Sequence, residues 1–139
     1  MELSKEERLM LVKKKEEILM YSNEILELAQ DSKNVLEIQK KINSIVSLIS
    51  TISSYASAKN VNLHRLFDIT EGLQKLLTLH TGTYAFNWDA TDQLFLNMFC
   101  NAVNAIEFNF TKKGLQFRLP KIGPSLLLSL LNKELLRLK

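Results

Sequence analysis

Few side chains in this sequence have the type and spacing that a catalytic or metal-binding site requires. The two histidines, His64 and His80, are sixteen residues apart, without a cysteine partner or an i,i+4 carboxylate pair, so no zinc site is predicted. Asp89 and Asp92 stand at a predicted helix start, where capping explains them. No serine elbow, Walker or Rossmann pattern occurs. We therefore expect no catalytic residue, metal ligand, cofactor or small-molecule substrate, and hence no enzyme.

The single cysteine, Cys100, is surrounded in sequence by apolar residues, which predicts a buried and inert thiol. A lone cysteine cannot form an intrachain disulfide, and this composition is typical of a reducing compartment. The first eight residues are mostly charged and contain no apolar signal core. We expect a cytoplasmic location.

The net charge of +3 is distributed unevenly. Residues 1–41 carry −1, residues 42–111 carry −2, and residues 112–139 carry +6. A basic segment attracts acidic proteins, nucleic acid and anionic lipid by the same long-range field, so it does not select among them. The candidate contact residues of this basic tail are Lys121, Lys133, Arg137 and Lys139.

The elements that would position these residues are mostly helices. Ser4 followed by Glu7 predicts a capping box at the start of the first helix. A change in the phase of the apolar residues predicts a break near residues 31–34, with Asn34 as the next N-cap. Two antiparallel helices then form a hairpin. The apolar stripe of the first helix is Leu11, Val12, Ile18, Leu19, Ile25, Leu26 and Ala29.

The second helix has the clearest pattern in the chain, an apolar row that alternates spacings of three and four residues. This spacing is typical of a seam that packs one helix against another. The row consists of Val35, Ile38, Ile42, Ile45, Ile49, Ile52 and Ala56. Residues 42–58 carry no charge, but they are too few and too polar to predict a membrane span.

A second row on this helix, at about 200° from the isoleucines, is small and uncharged. A helix that packs on both sides belongs at the centre of a bundle, so we expect a homodimer whose hairpins form four helices. The predicted interface residues are Ile38, Ile42, Ile45, Ile49, Ile52, Ser47, Thr51 and Ser54.

The third helix continues the same phase, so one continuous helix from residue 35 to residue 80 is possible. We prefer a break at residues 59–62, because asparagines favour caps over helix interiors. The seam of the third helix is Leu63, Leu66, Thr70, Leu73, Leu77 and His80.

Beyond residue 82 the spacing predicts a strand over residues 84–88, a fourth helix, a β-hairpin turning at Gly114, and a last helix with Pro124 as its first residue. The predicted apolar face of the fourth helix is Leu94, Phe95, Met98, Phe99, Ala102, Val103 and Ile106. The last helix is rich in leucine and basic at its end.

The segment from Gln93 to Ala105 carries Asn97 and Asn101 within a run of apolar residues and ends in Asn-Ala-Val-Asn-Ala. It resembles the N-box helix of the histidine-kinase ATP-binding fold, and the helical hairpin upstream resembles that of bacterial histidine phosphotransferases. The resemblance implies that Asn97 and Asn101 coordinate magnesium and contact phosphates. The chain departs from that family because residues 1–63 contain no histidine and the glycine-rich lid is missing.

We therefore expect a mainly helical single domain over residues 1–139. It comprises a helical hairpin (1–58), a helix with a small α+β lobe of strand, helix and β-hairpin (59–119), and a leucine-rich basic C-terminal helix (120–139). The leading hypothesis is a non-catalytic regulatory adaptor or structural protein that binds itself and another protein. A degenerate histidine-kinase-like signalling protein, and nucleic-acid or anionic-membrane binding through the basic tail, are the alternatives.

Overall fold

A computed structural model describes residues 3–30, 35–55, 62–81, 90–111, 114–118 and 122–137. Over these residues it contains five helices and one two-stranded antiparallel hairpin, which confirms the predicted mainly helical fold. The elements are α1 (Lys5–Leu28), α2 (Val35–Ser53), α3 (Asn62–Thr81), α4 (Ala90–Asn104), β1 (Glu107–Thr111), β2 (Gly114–Arg118) and α5 (Ile122–Arg137). The predicted strand over residues 84–88 lies outside the described residues.

The first four helices form an up-down bundle in which α1 contacts α2 and α4, and α3 contacts the same two helices. Polar contacts fix the antiparallel directions. Lys41 on α2 reaches back to Glu24 on α1, and the amide of Gln93 at the start of α4 donates to the carbonyl oxygen of Ala29 at the end of α1, at 3.1 Å. That last bond satisfies one of the carbonyl groups that a helix end leaves without a partner.

The boundaries of α1 and α2 follow from local chemistry. The amide of Glu7 donates to the hydroxyl of Ser4 at 3.1 Å, and the amide of Ser4 donates to the carboxylate of Glu7 at 3.0 Å, so the predicted capping box is confirmed. The predicted break near residues 31–34 is confirmed, because α1 ends at Leu28 and α2 begins at Val35. Helices α2 and α3 are separate as well, but α2 already ends at Ser53, ahead of the break predicted at residues 59–62. Asn34 lies outside the described residues.

The isoleucine row of α2 forms the centre of the bundle. Ile38, Ile42, Ile45, Ile49 and Ile52 are all 0% exposed within the single chain. Facing them on α1 are Leu11, Ile18 and Ile25, which are also buried. Val12, predicted to share that stripe, is exposed, and the small Ser22 is buried instead, because α1 turns this side towards α4.

The seam of α3 is confirmed where its side chains are described, since Leu66, Thr70, Leu73 and Leu77 are buried. The side chains of Leu63 and His80 lie outside the described residues. Ile69, Gly72 and Leu76 are buried as well, so the covered face is wider than the seam. The extra cover comes from α5, which packs against α3 and α4.

Helix α5 runs parallel to α3. Arg65 near the start of α3 donates to the hydroxyl of Ser125 near the start of α5 at 2.5 Å. Gly72, about two turns farther along α3, faces Leu131 of α5. The helix begins at Ile122, two residues before the predicted start at Pro124. A proline fits the first turn of a helix because amide groups there have no carbonyl partner within the helix.

The buried face of α4 differs from the prediction at one edge. Leu94 is 50% exposed, whereas Leu96 and Cys100 are buried. The buried face of α4 is therefore shifted by about one residue from the predicted face. The reason is that two helices, α1 and α5, cover α4 from different directions. Phe99 and Val103 lie at the middle of this wider buried face, as predicted.

The β-hairpin confirms the predicted turn. Phe108 pairs with Phe117, Thr111 pairs with Gly114, and Gly114 has a φ of 124°, a conformation that glycine adopts without steric cost. Lys15 of α1 places its Nζ atom 5.2 Å from the centre of the Phe108 ring. This cation–π contact adds to the burial of Leu115, which is 0% exposed and packs the hairpin on the core of the bundle.

Candidate interaction surface

The α1–α2 hairpin is tied together at its surface by one ion pair. Lys41 Nζ lies 2.6 Å from Glu24 Oε2 and 5.5 Å from the centre of the Tyr21 ring. The hydrogen bond to the Glu24 carboxylate, against some opposing burial, raises the pKa of Lys41 above its ordinary value. Lys41 therefore stays charged at neutral pH and holds the two helices in a fixed register.

The outer face of α2 is uncharged from Asn43 to Tyr55, and several of its hydroxyl groups bond to their own helix. Thr51 donates to the carbonyl oxygen of Ser47 at 3.1 Å, and Ser54 donates to that of Thr51 at 2.6 Å. A hydroxyl that already donates within its helix loses less when another surface displaces its water. The face is thus polar in composition, but its burial against another surface costs little desolvation free energy.

A shallow groove of about 400 Å³ runs between α1 and α2 beside this face. Its lining combines an aromatic ring, an aliphatic side chain and small polar groups. The lining residues are Glu17, Tyr21, Asn43, Ser44, Ser47 and Leu48. Sequence reasoning missed the α1 side of this groove. Glu17, Tyr21 and Glu24 follow each other at spacings of four and three residues, so they share one side of α1, and this side borders α2. That spacing was a usable signal for the groove.

The predicted interface residues fall into two groups in the structure. Ser47, Thr51 and Ser54 are exposed and available to a partner. The five isoleucines are already covered by their own chain, so this row differs from the expectation that a second copy covers it. The physical reason is that α1 and α3 supply within one chain the neighbours that the sequence pattern assigned to a dimer.

The other long edge of α2 is closed by a polar ladder to α3. The amide of Gln74 donates to Asn43 Oδ1 at 3.0 Å and to the carbonyl oxygen of Gln39 at 3.2 Å. The amide of Gln39 donates to the hydroxyl of Thr78 at 3.4 Å. These contacts satisfy the polar groups at this edge, so the surface open to a partner is the groove side of α2.

Asn97 and Asn101 lie together on the outer side of α4, and both are exposed. Their neighbours on this face are Leu94 and Asn104, which are exposed too. Phe99, between them in sequence, points into the core. The structure therefore brings the two asparagines onto one accessible face.

The basic tail is described only in part. Lys133 and Arg137 are exposed on α5, and Arg137 forms an ion pair with Glu134. Lys121 and Lys139 lie outside the described residues. Leu126 and Leu136 are also exposed on this helix, while Leu127 and Leu131 are buried against the bundle.

Cys100 is buried, and burial raises the pKa of its thiol to about 11. The hydroxyl of Ser22 donates to the backbone carbonyl of Cys100 at 3.4 Å, which marks a close approach of α1 and α4. A thiol with this pKa is almost entirely protonated at neutral pH. It is therefore a poor nucleophile.

Among the side chains that the structure describes, no three histidine, cysteine or acidic groups are arranged to hold a metal ion. The same part of the chain has no helix long and apolar enough to cross a bilayer. The side chains of His64 and His80 lie outside it.

No family model, curated protein or solved structure matches this chain.

Proposed function

We propose that this chain is a non-catalytic interaction protein that associates with a second copy of itself, and through that assembly with another protein. The observation that carries the proposal is the uncharged groove side of α2, where Ser47 and Thr51 are exposed and Ser47 lines the groove with Tyr21 and Leu48. A regulatory adaptor or a structural role fits such a surface. The free, buried Cys100 is consistent with a reducing, cytoplasmic setting.

The size of the hairpin face supports this role. With α2 at 19 residues and two helices side by side, the face is about 30 Å by 20 Å, roughly 600 Å² before surface roughness. Standard protein interfaces bury about 800 Å² on each partner. One hairpin face is therefore of the right order to hold a dimer.

Molar mass in solution, by light scattering behind gel filtration, tests the proposal. We expect twice the chain mass for the wild type. Ser47→Arg, which places a long charged side chain on the groove, should reduce the mass to that of one chain. Ser129→Arg, at an exposed position on α5, is the matched control and should leave the dimer intact. A wild type that remains monomeric at high concentration contradicts the proposal.

The exposed leucines of α5 favour one second candidate. Leu126 and Leu136 share the outside of α5 with Lys133, a combination that suits an anionic membrane surface or nucleic acid. Retention on anionic vesicles or DNA that falls with salt, and that Lys133→Glu weakens, would support this candidate.

A further inference from the structure

The charges of the α1–α2 hairpin are divided between its two ends. At the open end, residues 3–15 of α1 lie beside the last residues of α2, and α2 carries no charge from residue 43 to its end. Counted over all sides of α1, the charged side chains there are Lys5, Arg8, Lys13, Lys14 and Lys15, opposed by Glu6 and Glu7, which gives a net +3. Of these, Lys15 is directed towards the Phe108 ring.

The closed end carries the opposite charge. Residues 16–30 of α1 contain four glutamates and no basic residue, and residues 35–43 of α2 contribute one net positive charge through Glu37, Lys40 and Lys41. The four glutamates are Glu16, Glu17, Glu24 and Glu27. The net charge of this end is −3. The positive end of one hairpin is therefore complementary in charge to the negative end of a second hairpin.

Only one face-to-face arrangement of two hairpins uses this complementarity. With the two-fold axis parallel to the helices, each closed end meets a closed end and like charges repel. With the axis perpendicular to the helices and in the plane of the interface, α1 lies on the partner's α1 and α2 lies on the partner's α2. The helices of each pair are antiparallel. The +3 end then meets the −3 end at both sides of the interface.

We infer that two copies of this chain associate through their α1–α2 hairpins with the two-fold axis perpendicular to the helices, so that the basic half of each α1 faces the acidic half of the other. This inference rests on the proposed self-association and adds its geometry. The uncharged groove side of α2, around Ser47, lies near the axis. There α2 meets the partner's α2 without placing a charge opposite its own copy, because residues 43–55 carry none.

Charge reversal tests the electrostatic part. Lys13→Glu with Lys14→Glu makes both ends negative, and Glu17→Lys with Glu27→Lys makes both ends positive. Each double variant should raise the dimer dissociation constant on the order of tenfold or more at low salt. The four changes combined give the two ends opposite net charges again and should recover part of the affinity. Dissociation constants that do not respond to any of these variants overturn the inference.

Distances between spin labels test the orientation. Labels are placed at Ser47→Cys and, separately, at Leu36→Cys, which is exposed at the far end of α2. Cys100→Ala provides the background. In the perpendicular arrangement the two Leu36 positions lie about 30 Å farther apart than the two Ser47 positions, since eleven residues at 1.5 Å each count twice.

In the arrangement with the axis along the helices, both labels would give similar short distances. Equal distances within a dimer therefore overturn the inference and leave the proposed self-association standing. A monomeric wild type overturns both. A dimer whose labels are far apart at Ser47 as well as at Leu36 places the interface elsewhere and also overturns the inference.

Discussion

Leu131 on α5 occupies the space beside Gly72 on α3 where any other residue would place its Cβ. An ideal Cβ on Gly72 would lie 2.6 Å from Leu131 Cδ2 and 3.1 Å from its Cγ. Leu131 is fully buried, so its side chain has little room to withdraw. The close approach of α3 and α5 therefore depends on the absence of a side chain at this one position.

Gly72→Val should lower the free energy of unfolding by about 1–3 kcal/mol, because an overpacked contact forces side chains or backbone to shift. Gly123→Ala is the control, since nothing lies within 4 Å of the Cβ it would add. That change should be neutral or stabilise by up to ~1 kcal/mol. Urea unfolding of both variants measures the difference, and equal stabilities would mean that α5 does not pack on α3 in this way.

The isoleucine row supplies a second prediction. Ile45→Asp together with Ile49→Asp should unfold the chain, because each unpaired buried carboxylate costs several kcal/mol and a domain of this size is stable by about 5–15 kcal/mol. The milder Ile49→Val should cost about 0.5–1.5 kcal/mol. Leu36→Asp, in the same helix but 67% exposed, is the matched control and should leave the melting temperature nearly unchanged.

Much of the fold was predictable because local chemistry and periodicity determine it. The capping box at Ser4, the break before Val35 and the positive φ of Gly114 each follow from the residues at those positions. The burial of the isoleucine row followed from its spacing.

What covers that row was not predictable, because periodicity shows that a face is buried but not which helix buries it. Helices from the same chain cover Ile45, where a second copy was expected. The close contacts at Ser22 and Gly72 were missed for a related reason, since a small residue gives no apolar signal. The groove of the candidate surface was also missed on its α1 side, because Tyr21 and Glu17 become neighbours of Ser47 only when the hairpin closes.

The Lys41–Glu24 pair should contribute more to stability than the exposed pair beside it. Lys41 bridges two helices and its side chain is 22% exposed, whereas the side chain of Lys40, paired with Glu37 in the same helix, is 76% exposed. Lys41→Met should lower the free energy of unfolding by about 0.5–1 kcal/mol, and Lys40→Met by less than about 0.5 kcal/mol. Thermal melts at low and high salt measure both, and the Lys41 effect should shrink as salt is added.

Nucleotide binding at the asparagines of α4 is open to a direct measurement. The non-catalytic role proposed for this chain leads us to expect no binding heat when ATP and magnesium are titrated into the protein. A signal that Asn97→Ala removes while the fold is retained would instead favour the histidine-kinase-like alternative.

Alkaline pH should destabilise the protein through Cys100. Burial raises the pKa of the thiol from its ordinary value of 9.0 to about 11, so the folded chain holds this proton more tightly than the unfolded chain does. The resulting stability is fully present below pH 9 and is lost as the pH rises towards 11. The loss amounts to about 2–3 kcal/mol.

Cys100→Ala isolates this effect, because other titrating groups are common to both proteins and cancel in the difference. Relative to the variant, the wild type should keep a constant free energy of unfolding up to about pH 9 and then decline up to about pH 11. The same burial should leave the native thiol slow to alkylate at pH 8, with full reactivity only in denaturant. A wild type and variant with parallel pH profiles, or a native thiol that alkylates at the rate of a free cysteine, would place Cys100 at the surface rather than between α1 and α4.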